Sequence, residues 1–215
     1  MAIPAEGEDR STAEVRPLRS LSELHDALNG CRRCERWRQA TQGVPGEGAP
    51  HARIMLVGEV PGDAEDRAGH PFVGPAGALL NRALEQAGID RRLAYVTNAV
   101  KHFKFEQRGK RRLHVKPTPA EIKACHFWLQ EEMRLVKPPL TMALGATAAR
   151  ALLGRGVTIT AVRGRPLPLP SGAHVWVTVH PSYLLRLPEE RDRHAEFARF
   201  VGDLQAASAW IGSRA

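Results

Sequence analysis

Short apolar runs alternate along the chain with longer segments whose apolar residues recur every three or four positions. The run 53–58, Arg-Ile-Met-Leu-Val-Gly, has the form of a buried strand that opens into a loop. Residues 75–87 carry Ala78, Leu79, Leu80, Ala83, Leu84 and Ala87 at helical spacing, and Gly88 is placed to stop that helix. Strand character returns over 93–100. Thr118-Pro119-Ala120-Glu121 then reads as a helix start, with a Thr cap, Pro in the first turn and Glu where a capping box needs it. That helix is predicted to reach 135. A strand at 140–144, a helix at 147–153, a β-branched strand at 174–179 and a last helix over 192–210 complete the series.

Strands alternating with helices predict an α/β protein, a three-layer α/β/α sandwich around a central, mainly parallel four-stranded sheet. In such a fold ligands gather beyond the C-terminal ends of the strands. Here those segments are 59–72, Asn98 onward, Gly145 onward and His180 onward. Residues 1–19 are polar, charged and aperiodic, so they predict a disordered arm, with 20–215 forming one domain. The chain has no internal repeat, and its one biased stretch is Pro166-Leu167-Pro168-Leu169-Pro170.

The 215 residues are 43% hydrophobic and 25% charged, ordinary for a globular protein. Charge sharpens the picture: 31 Lys and Arg against 23 Asp and Glu give a formal +8, which favours a polyanionic partner, nucleic acid first. The first residues show neither the apolar run of a signal peptide nor a membrane span, so the expectation is a cytoplasmic monomer with no membrane partner.

Cysteine usage adds a site. Cys31 and Cys34 stand as C-R-R-C, and Cys125 lies inside the capped helix. Alone, Cys125 would read as a reduced cytosolic thiol. The CxxC pair changes that, because two thiolates at this spacing can grip one centre from a tight turn. His102, just after a strand, is the best-placed fourth ligand. A structural zinc and an iron-sulfur cluster both fit this donor set.

Two further motifs bring a family into view. Gly58-Glu59-Val60-Pro61-Gly62 is followed by Gly69-His70-Pro71-Phe72-Val73-Gly74, and His180-Pro181-Ser182-Tyr183-Leu184-Leu185-Arg186 comes late, with Thr97-Asn98-Ala99-Val100 between them. Together they resemble the uracil-DNA glycosylase superfamily over roughly 24–207, and within it the iron-sulfur family 4 branch. The segment Gly109-Lys110-Arg111-Arg112-Leu113-His114 resembles the loop of the UdgX subtype, in which a histidine joins covalently to DNA after uracil leaves. His102 stands where ordinary family 4 members have a cysteine. The resemblance therefore implies a 4Fe-4S cluster on Cys31, Cys34, His102 and Cys125. It departs from the subtype at Val60, where a glutamine is expected, and mildly at Leu113 in place of isoleucine.

The resemblance and the chemistry together assign roles. Phe72 is the expected stacking platform for the extruded base, and Asn98 the reader, since its amide can donate to uracil O4 and accept from N3–H. Gly58 and the Val60 backbone complete the expected uracil pocket. His180 can hydrogen-bond O2 of the leaving anion, and Glu59 can face the cationic sugar. Asp63, Glu65 and Asp66 read as solvent-facing acids.

Lys101, Lys104, Arg108, Lys110, Arg111, Arg112 and Lys116 form a basic segment with Phe103 and Phe105 interleaved. Lys110, Arg111 and Arg112, with Ser182 and Arg186, are the expected DNA contacts. His114 differs in kind, because a neutral imidazole keeps a nucleophilic lone pair at neutral pH. The sequence thus predicts a glycosylase that removes uracil from DNA, single-stranded by preference, and crosslinks to the abasic site. A turnover glycosylase and a non-enzymatic cluster protein that binds nucleic acid are the competing readings.

Overall fold

The computed structural model describes residues 17–214. Its elements in chain order are α1 (Leu21–Asn29), β1 (Glu47–Gly48), β2 (Ile54–Gly58), α2 (Asp63–Ala68), α3 (Pro75–Gln86), β3 (Tyr95–Asn98), β4 (Phe105–Arg108) and β5 (Arg111–His114). They continue with α4 (Pro119–Val136), β6 (Leu140–Leu144), α5 (Ala146–Leu153), α6 (Ile159–Val162), β7 (Pro166–Pro168), β8 (His174–Thr178), α7 (Pro181–Leu184) and α8 (Glu190–Gly212).

The four expected strands, β3-β2-β6-β8, are parallel neighbours at the centre of the sheet. Two short antiparallel strands extend the expected four to six: β1 pairs with β3, and β7 pairs with β8. The proline-rich stretch supplies β7, where a missing N–H matters least because one side of an edge strand is unpaired. Strand pleating sends Met55 and Val57 into one core face with Leu24, Leu28 and Leu129, and sends Ile54 and Leu56 into the other with Leu80, Phe200 and Leu204. Both faces of the sheet are thus covered, α1, α4 and α5 on one side and α3 and α8 on the other.

The predicted helix start at Thr118 forms as a complete capping box: Thr118 Oγ1 accepts from Glu121 N, and the Glu121 carboxylate accepts from Thr118 N. The arm is shorter than expected, and the basic segment has regular structure. Residues 1–16 of the expected arm lie outside the described residues, but Pro17–Arg19 belong to the fold. Leu18 is buried and its N–H donates to the Glu131 carboxylate. The basic segment is a second, two-stranded sheet, with Phe105 opposite His114 and Arg108 opposite Arg111 around a Gly109-Lys110 turn. Gly109 takes a left-handed conformation there (φ 58°).

Candidate active site

The C-terminal ends of β2 and β3 lie side by side, with Gly58 opposite Asn98. A side chain at Gly58 would stand 2.4 Å from Asn98 Oδ1 and 2.6 Å from the Phe72 ring. Those two groups therefore converge on one point of the sheet edge, and only a glycine leaves room for both. Phe72 is held in a left-handed backbone conformation (φ 57°), which costs a non-glycine residue about 1–3 kcal/mol. Gly77 in α3 makes that turn possible, since a Cβ there would overlap the Phe72 carbonyl. Asn98 and Phe72 are both buried, at 3% and 6% exposure. An open groove of about 600 Å³ runs past Phe72 toward Glu47, Asn81 and Arg91.

His180 follows β8 and caps α7. Its ring centroid lies 6.0 Å from that of Phe72. The Ser182 N–H donates to His180 Nδ1 (3.1 Å), so Nδ1 is an acceptor and the ring proton belongs on Nε2. Burial first, then the nearby Arg186 and His114, hold the His180 pKa down to about 4. The Ser182 hydroxyl lies between His180 Nδ1 (2.8 Å) and Arg186 Nη1 (3.0 Å), so it supports the histidine while the exposed Arg186 keeps its other donors.

Glu59 extends from the end of β2. Thr147, at the start of α5, donates its hydroxyl to Glu59 Oε2 at 2.8 Å. Glu59 Oε1 lies 3.8 Å from His114 Nε2, across the gap between the sheet edge and the hairpin. Burial lowers the His114 pKa, and Arg36, Arg186 and Lys116 lower it further against the opposing pull of Glu59. The imidazole is therefore neutral at neutral pH, stacked beside Phe103 at 6.5 Å. Val60 is half-buried against the core face that carries Met55 and Val57.

The hairpin divides its cations. Lys110 and Arg111 are exposed, as a phosphate contact requires. Arg112 turns inward, differing from the expected DNA contact. Its guanidinium pairs with Asp63 and with Asp66 Oδ2 (2.8 Å), and lies over the rings of Phe103 and Phe105. Lys101 also leaves the basic surface: it is wholly buried, 2.6 Å from both Glu132 Oε2 and Thr97 Oγ1.

The acids that follow the first motif do not all face solvent. Asp66 is fully buried and accepts from Thr41 as well as Arg112, and Glu65 accepts from the N–H groups of Gly62 and Gly74. Glu65 thereby closes the loop that carries Phe72. Asp66 looks solvated in sequence because its donors Thr41 and Arg112 lie 25 and 46 residues away, and Glu65 because its donors are backbone N–H groups that no side-chain pattern reveals.

Cys31, Cys34 and Cys125 are free thiols. Burial raises the pKa of Cys34 and takes that of Cys125 up to about 12, and the neighbouring Cys31 adds to the rise in both. Trp128 Nε1–H donates to Cys31 Sγ (3.1 Å) and the Lys101 N–H to Cys125 Sγ (3.2 Å). Such donors suit thiolate ligands of a metal centre. His102 is buried, which lowers its pKa to about 4 and keeps the imidazole neutral, as ligation needs. Among the described residues no three His, Cys, Asp or Glu side chains gather tightly enough for a single metal ion.

Sequence reasoning missed Thr147, the Arg112 acceptors Asp63 and Asp66, and Arg36, whose side chain is fully buried. For Thr147 a signal existed, since Gly145 onward is one of the segments beyond the strand ends.

Comparison with known proteins agrees with this geometry. Residues 45–205 match the family model described as the uracil DNA glycosylase superfamily. The chain is 40% identical over 190 residues to a type-4 uracil-DNA glycosylase of Thermotoga maritima, covering 87% of this chain and 93% of the relative. A type-4 uracil-DNA glycosylase of Pyrobaculum aerophilum is 34% identical, over 85% of this chain and 93% of its own length. A type-5 uracil-DNA glycosylase of Thermus thermophilus is 35% identical, over 72% and 84%. With the family match extending from β1 to within α8, the chain belongs to the uracil-DNA glycosylase superfamily.

Proposed function

We propose that this protein excises uracil from DNA, single-stranded by preference, and captures the resulting abasic sugar on His114. The observation that carries the reading is the position of the His114 imidazole on the hairpin, 3.8 Å from Glu59 Oε1. The relatives' names support uracil in DNA as the substrate.

In this reading the extruded uracil stacks on Phe72, and the Asn98 amide donates to O4 while accepting from N3–H. Cytosine reverses both polarities, and each buried group left unpaired costs about 1–3 kcal/mol. The C1′–N1 bond breaks heterolytically. Its electron pair leaves with uracil, and His180 Nε2–H stabilises the charge that reaches O2. Glu59, steadied by Thr147, faces the oxocarbenium ion. An imidazole lone pair of His114 then forms a C1′–N bond. The proton lost from the other ring nitrogen balances the one that uracil takes up at N1, so the reaction closes without an outside reagent. Proximity lets capture outrun water, since effective molarities reach about 10⁵ M in well-oriented cases.

Lys110, Arg111 and Arg186 are proposed phosphate contacts, and Arg112 a latch for the hairpin. For the metal centre, Cys31, Cys34, Cys125 and His102 would hold a 4Fe-4S cluster. The buried Cys31 and Cys125, the half-buried Cys34 and the N–H donors aimed at the two buried thiols support that choice. When bound, the cluster would supply a rigid crosslink among these segments, and no bond in the sequence above draws an electron from it.

The test is a denaturing gel of the protein incubated with a uracil-containing oligonucleotide. A heat- and detergent-resistant protein–DNA band is expected, and His114→Ser should lose that band while releasing free abasic DNA. Uracil release without any such band from the unaltered protein would establish turnover and defeat covalent capture. An absence of uracil release would favour a protein that only binds nucleic acid.

A further inference from the structure

The turn after Cys34, Glu35–Arg38, carries one fully buried side chain, that of Arg36. A guanidinium is excluded from protein interiors unless its charge and donors are answered, and here they are. Arg36 Nε donates to the His102 carbonyl (2.9 Å), Nη2 to the Val115 carbonyl (2.9 Å) and Nη1 to Glu121 Oε2 (3.1 Å).

Each acceptor belongs to a different segment. His102 opens the path into β4, Val115 directly follows His114 at the end of β5, and Glu121 is the carboxylate of the α4 capping box. The contacts around the hairpin root repeat this pattern. Val115 N–H donates to the Lys104 carbonyl (2.9 Å), Lys104 Nζ reaches Glu121 Oε1 (3.3 Å), and Gln39 Oε1 accepts from Phe105 N (3.4 Å). The hairpin is thus held at two places, at its middle by Arg112 on α2 and at its root by Arg36.

We propose that Arg36 is a positioning residue for His114: its planar fork joins the cysteine turn, the root of the hairpin and the start of α4, and so fixes the imidazole over the sugar site. The inference rests on the covalent-capture reading for its consequence, and on the hairpin geometry for its mechanism. A two-stranded hairpin is marginal alone, so its pose must come from such anchors. A fork of fixed shape can address three acceptors in one plane, which a lysine ammonium on a flexible stem cannot. The Arg36 charge also faces His114 together with Arg186 and Lys116, against Glu59, and disfavours the protonated form that cannot attack.

The test compares Arg36→Leu and Arg36→Lys with the unaltered holoprotein by two readouts. In amide hydrogen exchange, the segment 105–115 should exchange on the order of tenfold or more faster in Arg36→Leu while β2 and β6 stay protected, the signature of local opening. With a uracil oligonucleotide, the share of product found as adduct should fall in favour of free abasic DNA. A misplacement of about 1 Å is enough for losses near a hundredfold in a positioned step, whereas base release at Asn98 and His180 should change far less. Arg36→Lys, which keeps the charge, should show the same pattern more weakly, and it serves if the leucine variant does not fold.

Unchanged exchange at 105–115 in both variants overturns the proposal. So does a parallel loss of adduct and base release with faster exchange everywhere, which marks a general stabilising role. If the unaltered protein forms no adduct, covalent capture itself fails, and the exchange comparison alone then decides whether Arg36 anchors the hairpin.

Discussion

At the scale of single residues, the site depends on side chains held in states they would not adopt in water. Phe72 sits at positive φ, and Gly58 is bare because Asn98 and Phe72 fill the space its Cβ would need. His180 is the clearest case for measurement. Its folded pKa is lowered from 6.5 to about 4, chiefly by burial. Between those values the unfolded chain binds the proton and the folded protein does not, so stability falls as pH drops from 6.5 toward 4. The full shift corresponds to about 3 kcal/mol, an upper bound for a half-buried ring. His180→Asn should remove that contribution. Its denaturant stability, plotted against pH from 7 to 4, should decline less steeply than that of the unaltered protein, by up to about one proton. Parallel curves would mean that His180 titrates normally in the fold.

At the scale of elements, the parallel strands were legible as short unbroken apolar runs and the long helices by apolar residues recurring every three or four positions. Leu140–Leu144 is a wholly buried strand, and α4 starts at a motif whose partners are three residues apart. The hairpin was legible only as charge. Its strands alternate, with Arg112 and His114 on one face and Arg111 and Leu113 on the other. The inward face, however, is satisfied by Asp63, Asp66 and two phenylalanines rather than by an apolar core, so hydrophobic pattern could not reveal it. This division predicts a difference between neighbours. Arg111→Ala should reduce the dependence of log affinity for single-stranded DNA on log salt by about 0.7, the value for one lost phosphate contact. Arg112→Ala should leave that slope nearly unchanged but lower stability by about 1–3 kcal/mol, since Asp66 stays buried with only Thr41 to answer it. Titrations at several salt concentrations and thermal unfolding separate the two. Equal slopes lost in both variants would put Arg112 on the DNA.

At the scale of the whole molecule, two regions meet at His114. The sheet edge supplies Gly58, Glu59, Asn98 and His180 from the ends of the parallel strands, where an α/β fold places its ligands. The hairpin comes from outside the main sheet, and its root is tied through Arg36 to the turn that carries Cys31 and Cys34. That arrangement gives the cysteine region a mechanical route to His114. If a cluster crosslinks Cys31, Cys34, His102 and Cys125, removing its iron should loosen the turn, then Arg36, then the hairpin. The central sheet would be spared, because β2 and β6 are buried by helices on both faces. Iron content followed alongside hydrogen exchange should therefore show faster exchange at 31–38 and 105–115, with 54–58 and 140–144 protected throughout. Loss of protection in all four segments at once would instead make the cluster a requirement of the entire fold. Unchanged exchange at 105–115 would cut the proposed link between the metal centre and the hairpin.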